Sequence, residues 1–170
     1  MGLLWNRFSR GVNAASTLMG YLSGFAIVAC TIILVYEVVV RYVLAWPTDW
    51  EIEMSIMLLI VATFMGAAFT QANNGHVGIE VLDSVLSANA NRWRNAVGDV
   101  LSMAFCAFVA WHSWKFFHEA WSDGRTGNTA WGPKLWPVYF SMALGMSLLS
   151  LQLLVQIGER HVKPHWEDAE

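Results

Sequence analysis

Charged side chains make up only 14% of these 170 residues, so any that fall beside apolar runs are conspicuous. Glu37 and Arg41 lie four apart, just past a long uncharged stretch. Glu placed before Arg at that spacing is the favourable order for an ion pair on a helix. A charge next to hydrocarbon is costly and normally faces a partner or water. Glu53, near the start of the next apolar run, reaches the same region and competes with Glu37 for Arg41. The pair has two readings: a carboxylate on a transport path, or a structural contact that locks helix ends or a subunit interface. The structural reading is the expectation here.

Other chemistry is sparse. Of the five histidines, only His112 falls within an apolar run; His76, His118, His161 and His165 lie outside. Haem in a helical bundle commonly takes two facing axial side chains. Met103 or Met142 could supply one, but no paired-histidine pattern is present. No Cys/His spacing resembles a zinc site. Gly75-His76-Val77-Gly78 lacks the lysine and the preceding strand of a phosphate-binding loop. Cys30 and Cys106 both sit in apolar runs, which argues against a disulfide framework. No nucleophile–base arrangement stands out. The expectation is therefore no cofactor, no metal and no catalytic group, and a net charge of −3 gives no nucleic-acid footprint.

The elements that position these residues follow from hydropathy. Hydrophobic residues are 56% of the chain. A membrane-spanning helix needs about 20 mostly apolar residues. Gly11–Tyr36, Met54–Ile79 and Leu135–Gly158 contain no Asp, Glu, Lys or Arg, and Val97–Trp114 contains only Asp99. These runs predict a single all-α membrane domain over 1–170, a four-helix bundle with spans at about 16–40, 52–72, 96–116 and 135–158. Arg7 and Arg10 before the first run mimic a signal peptide, but the run is longer than a cleaved apolar segment of about 7–15 residues. Ile27-Val28-Ala29-Cys30 resembles a lipoprotein cleavage site, yet Thr31–Val35 stays apolar, so Cys30 is read as a mid-helix residue.

Lys and Arg in short loops set orientation. Arg7, Arg10, Arg92, Arg94, Arg160 and Lys163 fall on one side, six against the four of Arg41, Lys115, Arg125 and Lys134. Both termini are accordingly expected in the cytoplasm. Trp46 and Trp50, with Trp111, Trp114, Trp121, Trp131 and Trp136, would then form a periplasmic aromatic belt, and Trp5 and Trp93 an inner one. Between spans two and three, Ile79, Val81, Leu82, Val85 and Leu86 share one helical face, opposite Glu80, Asp83, Ser84 and Ser87. This predicts an additional amphipathic interfacial helix at about 77–90, resting on lipid or on a partner protein. Ser16, Gly20 and Gly24, and Ala62, Gly66 and Thr70, form small-residue stripes that let helices approach closely. Pro47, Pro133, Pro137 and Pro164 all lie in loops or at helix ends, without the broken helices of an autonomous transporter.

Glu37, Arg41-Tyr42, Trp50, Glu53, Gly66-Ala67-Ala68, Gly75-His76-Val77 and Asp83, in this order and on a four-span layout, resemble the DctQ-like small permease subunits of tripartite ATP-independent periplasmic (TRAP) transporters. The resemblance runs from about Gly11 to Gln156. Two places depart from the family pattern. Gln71-Ala72-Asn73-Asn74 is neutral where basic residues are frequent, and Ile52 separates Glu51 from Glu53 where adjacent acids are frequent.

The resemblance implies a division of labour. A periplasmic substrate-binding protein captures an organic acid such as a C4-dicarboxylate, and a large permease subunit moves it by a sodium-driven elevator motion in the inner membrane. The small subunit clamps the large one, and the family allows it a part in docking the binding protein. No substrate or sodium site carries over. Glu37, Arg41, Trp50, Glu53, Gly66, His76 and Asp83 are candidates for structural or subunit contacts. A membrane anchor for a redox enzyme is the rival reading, and a small channel is disfavoured because no span carries a polar stripe or charged ring.

Overall fold

The computed structural model describes residues 2–46, 48–73 and 88–162. They form four helices: α1 (Gly2–Val43), α2 (Glu51–Ala72), α3 (Ala88–Ser122) and α4 (Trp136–Val162). Each contains a stretch long and apolar enough to cross a membrane. Of the interfacial helix expected at about 77–90, all but its last residues lies outside the described residues, as do His76 and Asp83.

Small residues at a seven-residue spacing decide how the helices pack. Along α1, Ser9, Ser16, Ser23, Cys30 and Glu37 are all buried and each lies seven residues from the next. Val12, Ala26 and Val40 fill the alternate positions of the same seam. Cys106, Ser113 and Ala120 repeat the pattern on α3. A strict seven-residue repeat is the seam of a left-handed helix pair, and small side chains let membrane helices come close enough for backbone contact. The seam dictates the register of α1 on α2. Cys30 Sγ donates to Ser55 O at 3.6 Å; seven residues back along α1 and seven forward along α2, Ser23 Oγ donates to Ala62 O at 2.7 Å.

The heaviest packing joins α1 to α2 and α3 to α4; α4 also packs along α2 and, less, along α1. Hence α4 is the central helix and the most buried of the four. On α4, Gly145 lies against the backbone of Phe64, and Gly158 against the Trp5 ring. Gln152 accepts from Ser16 Oγ at 3.2 Å and donates to Asn13 Oδ1 at 2.9 Å, and Gln71 and Gln156 bond each other. Buried amides in a membrane require such partners, because no water competes for them.

At 42 residues, α1 is far longer than a span requires. Its length of ~63 Å is about twice the hydrocarbon thickness of ~30 Å, so it either tilts or projects beyond the bilayer. Its helix begins at Gly2, well before the expected start near Ser16, because nothing between Leu3 and Arg10 breaks the helical run. It ends where Ala45 takes φ 52° and Trp46 N–H reaches back to Val40 O at 3.3 Å.

The α3–α4 connection is closed by backbone hydrogen bonds. Gly124, at φ 63°, closes α3 with Arg125 N–H on Ala120 O at 3.2 Å, a left-handed helix stop that favours glycine. A short hairpin follows. Thr126 pairs with Lys134, Gly127 N–H donates to Pro133 O at 2.8 Å, and Leu135 N–H donates to Arg125 O at 3.0 Å. Both connections lie at one end of the bundle, here the hairpin end.

Candidate functional site

The polar groups at the hairpin end form the best candidate site. Arg41 Nη2 lies 2.8 Å from Glu37 Oε1, one helical turn away on α1. The acid is nearly buried, its side chain 11% exposed, whereas the guanidinium is 46% exposed. Glu37 therefore faces into the bundle while Arg41 reaches from it toward the surface. Sequence spacing left Arg41 a choice of acids, and the structure places it on Glu37. Glu53 stands apart on the first turn of α2, with one carboxylate oxygen buried and without a hydrogen-bond partner among the described residues.

Trp50 caps the start of α2 through its carbonyl, which accepts from Met54 N–H at 3.0 Å. Its ring packs on Tyr36 with centroids 6.4 Å apart, tying the end of α1 to the start of α2. Gly66 lies deeper in the bundle. A Cβ there would come within 2.8 Å of Ser23 Oγ, the hydroxyl already bonded to Ala62 O. Of the proposed glycine stripe on α1, Gly20 meets the Phe69 ring, but Gly24 faces open space. The contact seam passes through Ser23 and Ala26 instead, because the repeat is seven and not four.

Sequence reasoning missed Glu51, which is fully buried. Neither of its carboxylate oxygens has a hydrogen-bond partner among the described residues, and Thr48 Oγ1 and Ser55 Oγ are in the same position. Glu51 and Glu53 occupy the first turn of α2, where the unpaired N–H groups and the helix dipole favour an acid. That term offsets only part of the cost of an unpaired buried carboxylate, which is several kcal/mol. A sequence signal existed, since Glu51, Ser55 and Leu58 share one helical face that continues to the buried Ala62.

Large apolar side chains face outward along the middle of α1 and α3. Tyr21, Phe25, Ile32 and Val35 on α1, and Leu101, Phe105, Phe108 and Trp111 on α3, are all well exposed. His112, on α3, packs against Phe108 with ring centroids 4.5 Å apart. Trp121 and Trp136 meet edge to face with ring centroids 5.0 Å apart, joining the end of α3 to the start of α4.

Comparison with known proteins gives a concordant picture. A family model described as the DctQ component of tripartite ATP-independent periplasmic transporters matches residues 30–161, most of the chain. Among curated proteins, the chain is similar to the C4-dicarboxylate TRAP transporter small permease protein DctQ of Vibrio cholerae serotype O1. The two are 23% identical over 111 residues, which is 65% of this chain and 48% of that protein. The chain thus spans about half the length of the curated relative it matches.

Proposed function

This chain belongs to the DctQ component family of the tripartite ATP-independent periplasmic transporters, and from that premise we propose that it scaffolds the large permease subunit for sodium-coupled, binding-protein-dependent uptake of an organic acid. A C4-dicarboxylate is the substrate class named for the relative in Vibrio cholerae. The observation that carries the scaffolding role is the layout of α1. Its short polar residues face α2 and α4, and its large apolar residues face outward along most of its length. α3, packed mainly on α4, offers a second outward apolar face. Such faces suit a bilayer and equally suit a membrane partner, since lipid and apolar protein surfaces differ little in polarity.

The loop charges support cytoplasmic termini, which would put the hairpin end at the periplasmic surface, where a substrate-binding protein would arrive. Glu37–Arg41 and the α3–α4 hairpin then lie at the level where such a protein meets the membrane subunits. The test is reconstitution. Liposomes containing this chain alone, the large subunit alone, and both are supplied with the binding protein and a sodium gradient. Uptake is expected only when both are present, and uptake by this chain alone would sink the scaffold reading.

A further inference from the structure

One cation at the hairpin end has no ion-pair partner among the described residues. Arg125 is held by Glu119 at 3.1 Å and approaches Asp123 at 3.8 Å. Lys115 lies over the Trp111 ring, 5.6 Å from its centroid. Lys134 is exposed, and among the described residues no carboxylate lies within ion-pair distance of it. Its place is fixed nonetheless, because the Thr126–Lys134 pairing and the bond from Leu135 N–H to Arg125 O clamp the backbone on either side.

Lys134 stands at a cleft of about 370 Å³ between the first half of α2 and the start of α4. Met54, Met57, Leu58 and Val61 line one wall, Pro137 and Val138 the other, and Trp131 lies beside Lys134. The cleft exists because α3 packs against α4 and does not cover this side of α2. Its volume is at the low end of the ~300–1,000 Å³ of small-molecule sites, which suits a single hydrocarbon chain rather than a whole lipid.

We propose that this cleft is a binding site for an anionic phospholipid, with one acyl chain between α2 and α4 and the phosphate on Lys134. Charge complementarity selects the occupant. The cleft wall is apolar, its one charge is an ammonium without a carboxylate partner among the described residues, and it sits at the end of the bundle that carries Trp121, Trp131 and Trp136. An anion joined to an alkyl chain satisfies both parts together. Methionine side chains adapt to a flexible chain, while Pro133 and Pro137 stiffen the opposite wall. The site is independent of the scaffold reading, since it is complete within this chain.

Native mass spectrometry of the detergent-purified protein, alone and with the large subunit, tests the proposal. The probes are phosphatidylglycerol and phosphatidylcholine of identical acyl chains. One tightly retained phosphatidylglycerol is expected, preferred over phosphatidylcholine by about fivefold, the contribution of a single interfacial lysine. Lys134→Gln should remove that preference. Met57→Trp, which fills the cleft, should lower retention of both lipids. Lys115→Gln, at a cation already engaged by an indole, should leave the preference unchanged. Equal retention of the two lipids by the unaltered protein would overturn the proposal. So would an undiminished preference in Lys134→Gln, whose exposed side chain can change without unfolding the protein. Loss of the lipid on assembly with the large subunit would also overturn it, and would make the cleft a seat for protein.

Discussion

Gly145→Ala is the sharpest probe of how this bundle holds together. A Cβ at Gly145 would overlap the carbonyl oxygen and carbon of Phe64 and come within 3.0 Å of its Cβ. Two of those atoms are backbone, so no side-chain rotation relieves the overlap, and α2 and α4 must separate. Overpacking of a filled interior costs about 1–3 kcal/mol, and alanine recovers up to ~1 kcal/mol of helix propensity over glycine. The net expectation is a loss of about 1–2 kcal/mol, or roughly 2–8 °C in melting midpoint for a chain of this size. Gly24→Ala and Gly98→Ala are the controls, since a Cβ at either position meets nothing within 4 Å. Both should be neutral or stabilising by up to ~1 kcal/mol. Cys30 and Cys106 supply the assay, as both are free and buried. A thiol-reactive fluorophore will label them as the bundle opens on heating. A Gly145→Ala midpoint equal to that of the unaltered protein, or a Gly24→Ala loss as large as that of Gly145→Ala, would refute the packing argument.

Three further outcomes are expected. Arg41→Ala should weaken co-purification with the large subunit or lower the melting midpoint through a stability loss of about 1–2 kcal/mol, because removing the half-exposed arginine leaves a nearly buried Glu37 without its ion pair; Arg41→Lys should be milder, and only Glu37→Gln, not Glu53→Gln, should be non-additive with Arg41→Ala in a double-mutant cycle. Glu51→Gln should raise the midpoint of the isolated chain in the same thermal assay, through a stability gain of about 1–3 kcal/mol, since it keeps the side-chain shape and removes a charge with no partner among the described residues; a lower midpoint would show that the carboxylate is compensated. In a background lacking Cys30 and Cys106, a cysteine at Asn128 should react with an impermeant thiol reagent on cells with a permeabilised outer membrane, while one at Asn91 should not; the reverse pattern would invert the proposed topology.

Much of the fold was legible because membrane insertion writes itself into composition. Long runs without charge announce the helices, since an unpaired backbone or side-chain charge has no solvent inside the bilayer. The Glu37–Arg41 pair was legible for a similar local reason, as residues four apart meet on any helix. Glu51 was legible only in part, because Glu51, Ser55 and Leu58 share one helical face but which face is buried depends on where α2 packs. The seam of α1 was legible in principle. Ser9, Ser16, Ser23 and Cys30 recur every seven residues, but glycine drew attention to a four-residue stripe that the structure uses only in part. The Lys134 cleft could not be read at all, since its walls come from helices far apart in sequence.

The same physics would let so small a bundle serve as the proposed scaffold. In water, a helix such as α3, packed mainly on a single neighbour, would expose enough apolar surface to collapse or aggregate. In a bilayer that exposure costs little, and association rests instead on close backbone approach and on a few shared hydrogen bonds. Serine, alanine, glycine and cysteine along the seams, with Gln152 and Gln71 bonded across helices, provide both. The interior is thus held by small residues, which frees the large ones for the surface. Tyr21, Phe25 and Ile32 on α1 and Phe105 and Phe108 on α3 are therefore surplus to internal packing. A partner that covers either face need not compete with the bundle's own contacts, and the bundle need not rearrange to receive it.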